Sequence, residues 1–205
     1  MRARPTKSTR SPVTMDQPSR LAAIAIGLFL EHGYEATPVS LIAKQAGLTK
    51  AGLYHYFQSK EDILYFIHKR HLDDLLTPMI EEAERESDPE KRLRKFLSDY
   101  ALLHTSDSSL QVMINETKQL SPKHRKEIKA AWRRALHLAR DAIAELKRLD
   151  RCEPGFHPTY SAFGAIGMCS WICNWFDHSR PKTGPQVAKT MVDIFMKGLL
   201  RRDGS

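Results

Sequence analysis

Cysteine is scarce in this chain of 205 residues: only Cys152, Cys169 and Cys173 are present. Three thiols cannot all pair with one another, and their spacing does not match a structural zinc site. Cys169 and Cys173 stand one helical turn apart in an apolar stretch. They read as reduced core residues, the pattern of a cytoplasmic protein. Long apolar runs are missing as well. Leu21 to Leu30 follows a basic segment as a secretory leader would, but it ends in Glu31-His32 without a small-x-small cleavage site. No stretch approaches the roughly 20 apolar residues that a bilayer span requires. The expectation is a soluble, cytoplasmic chain with no membrane partner.

Signatures of catalysis are also lacking. There is no Gly-x-Ser-x-Gly elbow, no glycine loop to cradle phosphate and no His-Glu-x-x-His helix. His68, His71 and Asp74 can share one helical face, but no fourth ligand accompanies them. Cys152 and His157 flank Pro154-Gly155 and are a weak hint of a nucleophilic pair. The reading is no enzyme, no metal and no cofactor. Strand-like alternation and repeats of fixed period are absent too.

What remains is basic and helical. Thirty-two Lys and Arg against 24 Asp and Glu give a net charge of +8, which favours an anionic partner without naming it. Hydrophobic residues make up 41% and charged residues 27%, an ordinary globular balance. Residues 1–16 are rich in Arg, Lys, Pro, Ser and Thr with almost nothing apolar. They read as a flexible basic arm, either a plain disordered start or a tail that touches DNA. From Gln17 onward the apolar spacing is helical. One stripe comprises Leu21, Ile24, Ala25, Leu28 and Phe29 and stops at Gly33. A second, Ile128 to Leu146, lies on a long helix starting at Ser121-Pro122. A third runs from Val187 to Leu199. Breaks fall near Gly33, Gly47, Ser59, Ser87 to Pro89, Ser106 to Ser109, Leu120, Pro154 to Pro158 and Ser179 to Gly184. The expected fold is all-α, with about nine helices.

Residues 37–64 concentrate the chemistry. Thr37 is placed to cap a helix whose first position, Pro38, needs no amide partner. Val39, Ile42 and Ala43 would face inward. Gly47 can take the left-handed conformation that ends this helix, and Thr49 can cap the next one. Two short helices joined by a tight glycine turn describe a helix-turn-helix. The second helix, Lys50 to Phe57, is small and basic at its N-terminal end, which suits a major groove about 12 Å wide. Lys50 can meet phosphate or guanine, Tyr54 and His55 offer polar contacts, and Lys60 reads as a phosphate clamp. Leu53 and Phe57 would face the core. The competing reading makes Tyr54, His55, Tyr56 and Phe57 a buried aromatic cluster; the flanking cap, turn and lysines weigh against it.

The stretch Gly33 to Leu64 closely resembles the DNA-binding domain of the TetR (tetracycline repressor) family. The match is carried by Ile42-Ala43, Ala46-Gly47-Leu48-Thr49-Lys50, Leu53-Tyr54-His55-Tyr56-Phe57 and Ser59-Lys60-Glu61. Most members have glycine directly after the lysine, whereas here Ala51 intervenes before Gly52. The resemblance implies DNA-contacting roles for Thr49, Lys50, Tyr54, His55 and Lys60, with Ala51 and Gly52 completing the helix end. It implies a head at 17–64, a ligand-sensing and dimerising domain at 65–205, and a fourth helix from about Lys60 to Arg85 that links them. A homodimer would read a palindromic operator and release it on binding a small molecule.

Residues Tyr160 to Phe176 are apolar nearly all round and need cover on more than one side, which a partner subunit can supply. Gly164 and Gly167 would let a neighbouring helix approach. Phe163 to Leu200, together with Glu116 and Leu120-Ser121-Pro122, is similar to the subgroup governing fatty-acid, acyl-CoA and steroid catabolism. That similarity implies an apolar or acyl-CoA effector in a pocket lined by Tyr100, Met113, Glu116, Met168, Trp171 and Trp175. Lys123, His124, Arg125 and Lys126 could attract a phosphate or simply form a solvated helix start. An architectural DNA-binding protein without a ligand is the alternative function.

Overall fold

The computed structural model describes residues 16–180 and 183–201. The basic arm expected at 1–16 lies outside the described residues save for Asp16. Nine α-helices are present among the described residues, numbered here in chain order, with no strand beyond one isolated bridge. None is long and apolar enough to cross a membrane.

Helix α1, Gln17–His32, starts at Asp16, whose carboxylate accepts from the Ser19 amide, and has proline in its first turn. It ends at Gly33, where φ is 83° and the amide still donates to Phe29. Helices α2, Val39–Gln45, and α3, Lys50–Tyr54, pack against each other, and α1 lies across α2. Leu21, Ile42, Leu53 and Ile63 are wholly enclosed in this head. Thr37 does not cap α2 as expected; Pro38 occupies that position. The Thr37 hydroxyl is buried and donates instead toward the Leu28 and Gly33 carbonyls. Its one proton goes chiefly to the Gly33 carbonyl, just past the end of α1, at 2.7 Å.

Helix α4 leaves the head in three sections: Lys60–His71, a π-helical turn at Leu72–Leu76, and Thr77–Glu84. Ser59 caps its start by accepting from the Asp62 amide, and Asp62 accepts in turn from the Gln58 amide. Beyond it come α5, Pro89–Ser106, and α6, Ser109–Glu116, then α7, Pro122–Arg148, α8, Pro158–Trp171, and α9, Gly184–Leu199. Ser121 caps α7 ahead of a first-turn proline, as the sequence suggests.

Helix α5 is the axis of the second layer, flanked by α7, α8 and α9. Its Leu93, Phe96, Leu97 and Tyr100 are fully buried. The start of α9 approaches the end of α5 so closely that a Cβ on Gly184 would stand 2.6 Å from the Thr105 hydroxyl. Only glycine fits there. The three cysteines are free and buried, as the sequence suggests for Cys169 and Cys173.

Candidate nucleic-acid interface and ligand cavity

The head presents α3 outward. Gly47, at φ 71°, turns the chain after α2, and the Leu48 amide closes the turn on the Ala43 carbonyl. Thr49 then caps α3 by accepting from the Gly52 amide at 3.0 Å. A Cβ at Gly52 would sit 3.3 Å from that same hydroxyl, so glycine at 52 keeps the cap unhindered. Leu53 and Phe57 face inward and are buried, while Thr49, Lys50, Ala51, Tyr54 and His55 are exposed. Gly52 is half-buried. Tyr54 leaves 42% of its surface to solvent, and Lys50 reaches over its ring at 5.8 Å. The buried aromatic cluster considered above therefore does not exist; only Phe57 of the four enters the core.

Tyr56 is exposed beside them, its ring edge-on to His55, and sequence reasoning left it out of the candidate set. Its signal was available: Tyr56 neither shares the inward face of Leu53 and Phe57 nor sits in an apolar stripe.

Lys60 is half-buried and packs against the turn between α1 and α2. Its ammonium donates to the Tyr34 carbonyl at 2.7 Å and the Glu35 carbonyl at 3.3 Å, and stands 4.3 Å from the Tyr34 ring. Two of the three ammonium donors are thus committed to the α1–α2 turn. The turn exposes carbonyls that no helix satisfies, and a half-buried cation answers them better than bulk water does.

At the start of α4, Glu61 bolts the head to α7. Its carboxylate accepts from the Ser121 amide at 2.8 Å and pairs with His124 Nδ1 at 2.9 Å. Burial alone would raise its pKa, but these hydrogen bonds outweigh burial and hold it below the usual value. Tyr65 stacks on the His124 ring at 3.7 Å and donates to Glu127. His124 and Arg125 are therefore occupied internally, Arg125 with the Leu120 carbonyl. Neither stands free to attract a phosphate.

Between α4, α5, α6, α7 and α8 lies a cavity of about 230 Å³. His68, Tyr100, Met113, Ile114, Thr117, Trp132, Ile166 and Ser170 line it. The Tyr100 hydroxyl shares a 2.8 Å hydrogen bond with Ser170, and its ring meets Trp132 and His104 edge-on. His68 is 1% exposed, and neither ring nitrogen has a hydrogen-bond partner. Burial pushes its pKa down to about 4, with His71 adding to the effect, so the ring is neutral. An unmet buried polar group costs about 1–3 kcal/mol.

Of the six residues expected to line a pocket, the structure brings together two, Tyr100 and Met113. Glu116 faces a separate depression beside Phe29 and Gly33. Met168, Trp171 and Trp175 are not in the cavity lining; Trp171 is 66% and Trp175 48% exposed. The reason lies in helical register: α8 turns Ile166 and Ser170 inward, which sends Phe163, Gly167 and Trp171 outward. Gly164 and Gly167 likewise face open space rather than a neighbouring helix. The sequence reading offers His68 only as a metal ligand beside His71 and Asp74, and Trp132 only as part of the Ile128 to Leu146 stripe.

A larger groove, about 650 Å³, opens on the outer face of α7. Its Arg134 pairs with Glu84 and Glu81 and its Arg92 with Glu145, while Arg133 bonds only to the Lys129 carbonyl among the described residues. The smaller, mostly apolar cavity, with its unpaired imidazole, is the better ligand site.

Residues 21–65 match the family model described as bacterial regulatory proteins, tetR family, and residues 86–199 match the tetracyclin repressor-like C-terminal domain. The fatty acid metabolism regulator protein of Bacillus subtilis is 28% identical over 156 residues, covering 73% of this chain and 80% of that one. A crystal structure of AibR in complex with isovaleryl coenzyme A and operator DNA superposes with TM-score 0.79 at 27% identity, covering 87% of this chain and 97% of AibR. The regulator PfmR of Thermus thermophilus superposes with TM-score 0.79 at 31% identity, covering 89% of this chain and all of its own.

Proposed function

The chain belongs to the TetR family of bacterial regulatory proteins, and on that footing we propose a homodimeric cytoplasmic repressor that leaves a palindromic operator when it binds an acyl-CoA. Residues 17–64 form the DNA-reading head, and residues 65–205 sense the effector and dimerise. The protein acts by binding and not by catalysis. One observation carries the reading: α3 stands on a closed core with its capped, lysine-bearing end and both Tyr54 and His55 turned to solvent. Helix-end amides and Lys50 suit phosphate, while the exposed Tyr54, His55 and Tyr56 offer hydroxyl and imidazole groups for base edges or backbone. Lys60 serves by fixing the turn against which α3 is held.

The dimer reading is supported by an uncovered apolar face. Tyr160, Phe163 and Trp171 on α8, Trp175 just beyond, and Ile194 on α9 are all exposed. Large apolar side chains left exposed on one helix face suit an association site. A second copy, related by a two-fold axis, would cover it and place two α3 helices on half-sites one or more duplex turns apart.

Acyl-CoA as effector rests on the mostly apolar cavity of this chain and on the isovaleryl coenzyme A bound by AibR. Release follows if the effector binds the DNA-incompetent arrangement more tightly. The route runs from His68 in the cavity wall along α4 to its first turn, where Glu61 and Tyr65 hold α7. Selection of bound DNA from a random pool, followed by release assays with acyl-CoA thioesters, tests the whole reading. Enrichment of inverted repeats and thioester-dependent release are expected; no enrichment at all would defeat it.

A further inference from the structure

The cavity's blind end narrows the effector class, given the acyl-CoA reading above. Its sides are apolar, formed by Met113, Ile114, Trp132 and Ile166. His68, Tyr100 and Met113 are almost fully enclosed, whereas Trp132, Ile166 and Ser170 are only half-buried and stand toward solvent. An occupant therefore enters past α7 and α8 and ends against α4 and α5. The polar groups of the lining are answered within the protein, Tyr100 by Ser170 and the Thr117 hydroxyl by the Met113 carbonyl. Within this lining His68 is the exception, with both ring nitrogens unpartnered among the described residues; His104, behind Tyr100, is equally unmet but does not line the cavity. One turn further along, α4 departs from α-helical geometry in its π turn, a feature frequent at functional sites.

Volume sets the length. At about 30 Å³ for each water-sized group in a liquid, the 230 Å³ cavity holds roughly seven or eight heavy atoms. The nucleotide of coenzyme A must stay outside, and a C16 chain is about twice too large. No cation lines the cavity, so a carboxylate carried to its end would stay unneutralised.

We propose that the effector is a short acyl group of about four to eight carbons whose far end carries an uncharged hydroxyl or ketone oxygen hydrogen-bonded to His68. A neutral imidazole presents one donor and one acceptor, and such an oxygen can use either. The plain acyl chain fills the apolar sides but leaves the ring unmet.

Calorimetric titration of the full-length protein with hexanoyl-CoA, 5-hydroxyhexanoyl-CoA and palmitoyl-CoA tests this, alongside His68→Leu. The wild type should bind the hydroxyhexanoyl thioester about tenfold more tightly than hexanoyl-CoA, and palmitoyl-CoA at least tenfold more weakly than hexanoyl-CoA. His68→Leu should abolish the hydroxyl preference while still binding hexanoyl-CoA. The comparison of three thioesters on the wild type stands even where the variant does not fold. Palmitoyl-CoA binding as tightly as hexanoyl-CoA, or no hydroxyl preference in the wild type, overturns the inference and leaves the acyl-CoA reading intact. A preference that survives in His68→Leu also overturns it. Absence of binding by every thioester, in protein that still holds its selected operator, overturns the acyl-CoA reading together with the inference.

Discussion

Replacing Lys60 with alanine separates two roles that one lysine could play. In the structure its ammonium makes hydrogen bonds of 2.7 and 3.3 Å to the Tyr34 and Glu35 carbonyls and lies over the Tyr34 ring at 4.3 Å. A hydrogen bond from a charged group contributes about 1.5–3 kcal/mol when well formed, and a cation over a ring at a partly exposed site adds about 0.5–1. The longer bond is exposed and weak, so we take about 2 kcal/mol for the whole arrangement. For a chain of this size that lowers Tm by roughly 4–8 °C. The phosphate-clamp role predicts something else: stability unchanged, and the slope of log affinity against log salt reduced by about one. Differential scanning calorimetry and a salt series of anisotropy titrations measure both quantities. A Lys60→Ala protein with normal Tm and a slope lower by one refutes the turn-fixing role.

Other consequences are equally open to measurement. Thr49→Ala removes the acceptor that holds the Gly52 amide, which costs about 1 kcal/mol of local helix stability; faster amide exchange in α3 and weaker operator binding are expected, with the dimer intact. Trp171 leaves on the order of 100 Å² of apolar surface exposed, about 2–3 kcal/mol per copy once covered; Trp171→Arg should shift sedimentation toward monomer, and an unchanged dimer would remove α8 from the interface. His68 and His104 are buried with pKa values lowered to about 4 from 6.5. A base whose folded pKa is depressed favours the fold above its unfolded pKa, so stability should fall as pH drops from about 6.5 toward 4. Each histidine contributes a slope of up to about 1.4 kcal/mol per pH unit in that window. Unfolding midpoints in urea that stay flat from pH 7 to 4.5 would contradict the neutral, buried assignment.

Much of this architecture was legible in the residues because local rules and packing agree. The Gly47 turn, the Thr49 and Ser121 caps and the inward Leu53 and Phe57 all follow from short-range chemistry. Thr37 is not the cap it suggested, and Lys60 makes contacts that no local reading supplies, for a shared reason. Each has a local role suggested by its neighbours, yet each answers carbonyls brought near by the tertiary fold. The cavity lining was legible only at Tyr100 and Met113. Aromatic richness in Trp171 and Trp175 suggested a pocket, but an all-round apolar helix does not say which face meets its own chain and which a partner. The sequence marks His68 only as one of a possible metal trio with His71 and Asp74; its place in the cavity wall, with neither ring nitrogen hydrogen-bonded, emerges only on folding.

The central claim is that α3 enters DNA through its lysine-edged, capped end. The most direct test compares wild type and Lys50→Ala on the operator selected from random DNA, by anisotropy over a range of salt concentrations. Weaker binding is predicted, with the salt slope smaller by about one if Lys50 meets phosphate, and no change in dimerisation. Equal affinity and equal slope in the two proteins would contradict the account.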